Sequence, residues 1–111
     1  MWQVDRYFRE GQNMTIEMKK TLEGATIEIV GRLDTLTAPA LEKAINEELA
    51  NIKHLVLDVK GMEYISSAGL RVLLGAQKKM QKIGSMKVIN VSEAVMEVFE
   101  MTGFADILVI E

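Results

Sequence analysis

Leu55-Val56-Leu57-Asp58-Val59 is a nearly continuous apolar run, yet it is only five residues long, and that combination constrains the fold more than any other stretch of the 111 residues. A run this short is no membrane helix, which takes about 20 apolar residues. It has the character of a strand covered on both faces, as in a parallel sheet. Parallel neighbours need long crossover connections, usually helices. The flanking sequence supplies them.

Before the run, Leu41, Ile45, Leu49 and Ile52 recur at helical spacing. Pro39, the only proline, suits the first turn of that helix, where its missing N–H costs nothing. Glu42, Lys43, Glu47 and Glu48 read as the solvated face. After the run, residues 60–66 connect to a second helix whose inner face is Leu70, Leu73, Leu74, Gln77 and Met80, with Gly84 as its stop. Met86–Ile89 reads as a third central strand. Ser92 then caps a short helix, Glu93 to Met101, with Val95, Val98 and Phe99 inward and Gly103 at its end. Ile107–Ile110 closes the sheet. Upstream, residues 14–20 and 25–31 form a hairpin turning at Glu23-Gly24. The expected fold is α/β: a mixed, mostly parallel β-sheet with covering helices. Residues 14–111 make one domain, and residues 1–13 read as a flexible N-terminal extension.

Composition removes several function classes. No cysteine is present, which excludes thiol catalysis, disulfides and thiolate metal sites. A single histidine leaves little for a metal centre or a catalytic network. A formal charge of −3 argues against direct nucleic-acid binding. No P-loop and no G-x-G-x-x-G occurs, so a nucleotide enzyme has no motif support. Neither a membrane span nor the apolar core of a signal peptide is visible, and the expected location is the cytoplasm. No metal and no cofactor is expected.

In a parallel sheet, functional loops lie beyond the carboxyl ends of the strands. Two qualify: Leu33-Asp34-Thr35-Leu36-Thr37, and Gly61 to Leu70 with its adjacent Ser66 and Ser67. Small Ala68-Gly69 leave the serines uncrowded. Either hydroxyl suits the cap of the second helix; the same position suits a modification target or a nucleophile. A serine nucleophile needs a base within reach. His54 stands at the start of the Leu55–Val59 strand and the serines follow its far end, which opposes a triad. Asp58 lies inside a strand and Asp34 at a strand end; together they are a weak signal for a carboxylate pair or Mg²⁺ site, against turn-forming and strand-edge roles as the plainer reading. Arg71, Lys78 and Lys82, with Lys79 beside them, make either a solvated helix face or a basic strip for an acidic partner. Of the methionines, Met80, Met86 and Met101 are assigned to the core, while Met62 and Met96 suit core or surface equally.

Gly31-Arg32-Leu33-Asp34, Leu55-Val56-Leu57-Asp58 and Ile65-Ser66-Ser67-Ala68-Gly69-Leu70, followed by Val91–Val95 and Phe99–Gly103, make the chain resemble the bacterial anti-sigma factor antagonists of the STAS domain family. The resemblance covers roughly residues 14–111. It implies no catalytic activity, an anti-sigma factor serine kinase as binding partner, and a PP2C-type phosphatase that reverses the kinase. The family's Asp-Ser-Ser/Thr-Gly-Leu pattern aligns Ser67 with the phosphorylated serine. Ser66 stands where the family has Asp, and Ala68 where it has the residue after the phosphoserine. Asp34 matches a family acidic residue near the acceptor. The expected partner surface is Asp34, Thr35, Ser66, Ser67, Arg71 and Lys78. The alternative role within the same fold is a scaffold subunit of a stress-signalling or lipid-transport complex.

Overall fold

The computed structural model describes residues 3–8, 14–48 and 52–111. Among these residues six strands build one mixed sheet: β1 (Gln3–Phe8), β2 (Met14–Lys20), β3 (Gly24–Leu33), β4 (His54–Asp58), β5 (Met62–Ile65) and β6 (Ser85–Ile89). Their order is β1-β2-β3-β4-β6, and β5 pairs with β3 off that path. The two hairpin-type neighbours, β1–β2 and β2–β3, are antiparallel. The pairs β3–β4, β3–β5 and β4–β6 are parallel. Helix α1 (Ala38–Glu48) carries the chain from β3 to β4, and α2 (Ser67–Ile83) carries it from β5 to β6. Helix α3 (Glu93–Thr102) follows β6 and leads into a 3₁₀ turn at Phe104–Asp106.

Burial alternates along β2, β3, β4 and β6, so one face of the sheet is buried: Ile16, Met18, Ile27, Ile29, Leu55, Leu57 and Val88. Leu41 and Ile45 of α1, Leu73 and Met80 of α2, and Val95 and Phe99 of α3 complete a single core. Ser92 accepts a hydrogen bond from the Val95 amide, and Gly103 ends α3 with φ +83, a left-handed angle that glycine adopts without strain. The Gly84 amide closes α2 by donating to the Met80 carbonyl at 2.7 Å.

Several expectations are corrected. The Leu55–Val59 run is not covered on both faces; Leu55, Leu57 and Val59 are buried, while Val56 and Asp58 are half-exposed on the opposite face, which also carries the Lys19–Glu28 ion pair at 3.0 Å. Within residues 60–66, Met62–Ile65 is the strand β5 rather than plain connection, because β3 outruns β4 and leaves Gly31–Leu33 free to pair. Ile107–Ile110 is not a full strand; the 3₁₀ turn uses the chain needed to reach register, and one bridge, Val88–Ile110, remains. In the extension, Gln3–Phe8 pairs with β2 along its whole length, from Gln3–Lys20 to Phe8–Thr15, filling the free edge of β2. Glu48 is buried rather than solvated and meets Lys20 at 3.2 Å. Met101 is 79% exposed, outside the core. Met62 is buried, and Met96 packs half-buried against the core. Leu49 lies outside the described residues.

Candidate functional site

The site grows from the carboxyl end of β3. Leu33 pairs in parallel with Ile65, and the Ser66 amide donates to the Leu33 carbonyl at 2.9 Å. That bond sets the start of the Asp34–Thr37 turn beside the start of α2 at one pole of the sheet, so Asp34 and Ser66 follow directly on the last bonded pair and Thr35 and Ser67 are their chain neighbours. The other two expected site residues, Arg71 and Lys78, are exposed on α2 one and three turns further on.

The two serines divide the work at the start of α2. Ser66 is the N-cap, with φ −100 and ψ 176, and its half-buried hydroxyl accepts from the Gly69 amide at 3.5 Å. Ser67 is the first helical residue and is exposed. No hydrogen bond to another described residue engages its hydroxyl. Gly69 serves packing, not access: a Cβ there would lie 2.7 Å from Leu33 Cγ and 2.9 Å from Ile65 Cγ1. That close contact seats the first turn of α2 against the β3–β5 pair.

The facing loop is built rigidly. The Asp34 carboxylate accepts from the Leu36 amide at 3.0 Å and the Thr37 amide at 3.2 Å. The buried Thr37 hydroxyl donates to the Arg32 carbonyl at 2.7 Å and accepts from the Asp34 amide at 2.8 Å. This Asx turn starts α1 and leaves Thr35 and Leu36 exposed at its tip. Leu36 is 68% exposed, an apolar side chain presented to solvent by a braced loop.

Sequence reasoning missed three residues here: Leu36, Arg32 and Tyr64. The Arg32 guanidinium lies 4.2 Å from the centre of the Tyr64 ring and its Nε lies 3.7 Å from Asp34. Arg32 and Tyr64 are register partners across β3 and β5, a pairing invisible until β5 is recognised. Leu36 carried a signal, an apolar residue amid turn formers.

Two alternative chemistries fail on geometry. His54 begins β4 beside Gly24 and Ser85, with its Nδ1 2.9 Å from the Ser85 hydroxyl. From Gly24 to Leu33 the strand advances about 30 Å, so no imidazole reaches Ser67. Asp34 and Asp58 do not converge either. Asp58 lies level with Glu28, six residues before Asp34 along β3, and accepts from Asn90 Nδ2 and the Lys60 amide, both at 3.1 Å. Among the described residues no three His, Asp or Glu side chains cluster as a metal site, and no helix is long and apolar enough to cross a membrane.

The chain is similar in sequence and fold to known proteins. The family model of the STAS domain matches residues 15–111. An anti-sigma-B factor antagonist of Bacillus subtilis is 30% identical, over 86% of this chain and 89% of its own. One from Listeria monocytogenes is 31% identical, over 89% of this chain and 90% of its own. Among solved structures, an anti-sigma factor antagonist from Mycobacterium paratuberculosis superposes with a TM-score of 0.81 at 25% identity, covering 93% of this chain and 89% of that one.

Proposed function

The chain belongs to the STAS domain family, and from that premise we propose that it is an anti-sigma factor antagonist switched by phosphorylation of Ser67. Unphosphorylated, it binds an anti-sigma factor that is also a serine kinase, and so frees a sigma factor for transcription in the cytoplasm. The bound kinase transfers the ATP γ-phosphoryl group to the Ser67 oxygen, the hydroxyl proton leaves, and ADP remains. A PP2C-type phosphatase hydrolyses the ester and restores binding. The chain is a substrate and a ligand in this cycle, not an enzyme.

The observation that carries the reading is the inequality of the two serines. Ser66 is committed to the cap, whereas Ser67 is exposed at a helix start and no described residue is hydrogen-bonded to its hydroxyl. An exposed acceptor with the chain's one histidine at the far end of the sheet suits a serine acted upon by another protein's catalytic site. Around it, Asp34, Thr35 and Leu36 supply a braced surface, and Arg71 and Lys78 supply charge. Exposed Leu36 offers an apolar anchor of the kind that dominates interface energetics.

The test uses the purified chain and each anti-sigma factor encoded by its source genome. One of them should bind the wild type. With ATP it should phosphorylate Ser67, as read by mass spectrometry, and then release the chain. Ser67→Asp should weaken binding at least tenfold, or about 1.4 kcal/mol. Ser67→Ala should bind and resist inactivation by ATP. Phosphate found on Ser66 alone, or tight binding by Ser67→Asp, would overturn the proposal.

A further inference from the structure

Helix α2 has an exposed face that the domain's own packing does not account for. Its seventeen residues contain no acidic side chain and four cations, Arg71, Lys78, Lys79 and Lys82, all exposed, in a chain of net charge −3. Ser67, Arg71, Gly75, Lys78 and Lys82 follow one another at spacings of three and four, so they form a single line along the helix. At 1.5 Å per residue that line is about 22 Å long.

Gly75 is the odd member. A glycine inside a helix costs about 1 kcal/mol relative to alanine. The usual compensation is close packing, yet a Cβ on Gly75 would meet nothing within 4 Å. Gly69 in the same helix shows the contrast, since its Cβ would collide with Leu33 and Ile65. Gly75 also rims a shallow cleft between α1 and α2, with Ile45, Val72 and Ala76 as apolar lining. Across the cleft stand Glu42, its one acid, and Asn46, which accepts from Lys79 Nζ at 2.9 Å.

We infer that this line is a second contact with the anti-sigma factor, filled by an acidic helix of that partner whose backbone closes on Gly75. The inference rests on the proposed function, which sets the partner at the Ser67 pole. Charge complementarity selects the occupant: a line of cations without an acid favours carboxylates. The missing side chain at Gly75 gives room for two helices to approach closely. The line also gives the switch a physical basis. Phosphate on Ser67 adds a charge of about −1.5 to −2 at the head of the line, one turn from Arg71. It occupies that cation and repels the partner's first carboxylates.

The experiment measures affinity for the same anti-sigma factor at low and high salt, with Gly75→Ala, Gly75→Leu, Lys78→Glu, Lys82→Glu and, as control, Lys60→Glu from the opposite side of the sheet. Gly75→Ala should melt higher than the wild type yet bind at least fivefold weaker, and Gly75→Leu weaker still. Lys78→Glu and Lys82→Glu should each lose about tenfold at low salt and less at high salt, while Lys60→Glu binds normally. Should the wild type bind and Ser67→Asp fail to bind, while the Gly75 and Lys82 variants match the wild type, the acidic-helix contact is wrong and the proposed function stands. Absence of any binding by the wild type overturns both. A 20-base-pair DNA duplex is the rival probe: duplex binding lost in Lys82→Glu, with anti-sigma factor binding intact, would assign the line to nucleic acid.

Discussion

The same substitution, glycine to alanine, should have three different outcomes within the sixteen residues from Gly69 to Gly84. At Gly75 the new methyl meets open space. The helix gains about 1 kcal/mol, chiefly because alanine loses less backbone freedom on folding. At Gly69 the same gain is offset by overpacking. The methyl carbon would sit 2.7 Å from Leu33 Cγ and 2.9 Å from Ile65 Cγ1, both side chains of a tightly filled core. Overpacking of this kind costs about 1–3 kcal/mol, so the net loss is about 1 kcal/mol. At Gly84 the obstacle is backbone. The methyl carbon would lie 1.7 Å from the Lys53 carbonyl oxygen and 2.6 Å from its carbon. Gly84 has φ 174, which any residue adopts, so the cost there is space and not conformational strain. The clash is relieved only by separating Lys53 from the Gly84–Ser85 segment, which breaks the 2.8 Å bond from the Ser85 amide to the Lys53 carbonyl where β4 and β6 begin to pair. A loss of at least about 3 kcal/mol follows, at the upper end for overpacking.

Urea titration followed by far-ultraviolet circular dichroism measures all three. In melting temperature each kcal/mol corresponds to about 4 °C for a domain of this size. Gly75→Ala should therefore melt about 4 °C above the wild type, Gly69→Ala about 4 °C below, and Gly84→Ala at least 12 °C below. Any other rank order refutes the reasoning, and a loss at Gly75 beyond about 0.5 kcal/mol would show that α2 is packed against something on that side.

Leu57→Ala, at a fully buried position on β4, should destabilise by about 2–5 kcal/mol in the same titration; a loss below about 1 kcal/mol would move β4 out of the centre of the sheet. Gln77 is 4% exposed and its side-chain oxygen has no hydrogen-bond partner among the described residues, so Gln77→Met should stabilise by about 1 kcal/mol, and a fall of that size would reveal a hidden polar contact. Ser66→Ala removes a long, 3.5 Å cap bond and should cost only about 0.5 kcal/mol, the low end for caps. The same variant should still be phosphorylated on Ser67, as read by mass spectrometry.

How much of this was legible in the sequence depended on whether a signal was local. The hairpin, the three helices and their stops at Gly84 and Gly103 rest on periodicity, caps and turn residues, all readable within a short window. Strand β5 was not readable, because Met62-Glu63-Tyr64-Ile65 shows no clean alternation and gains its pairing from the overhang of β3. The Leu55–Val59 run suggested burial on both faces because Val56 is apolar, yet one half-exposed valine is compatible with a sheet covered on one side. At the site, the Asp34 and Ser66–Ser67 loops followed from chain order. The Arg32–Tyr64 contact required knowledge of which strands are neighbours, and no local pattern encodes that.

Under the proposed switch, adjacent serines with separate tasks let a phosphate on Ser67 change binding without unfolding the domain. If one hydroxyl were both cap and acceptor, phosphorylation would alter the start of α2 itself. Here the cap bond belongs to Ser66, and Gly69 wedges the first turn against Leu33 and Ile65. Those contacts are untouched by a group added to exposed Ser67. The added charge instead meets the positive end of the helix dipole, worth about 0.3–1 kcal/mol in favour of the folded state when exposed. Stability therefore holds level or rises while the surface at that pole gains negative charge. On that proposal the modification acts on the partner alone, and the two forms should share one fold and differ only in what they attract.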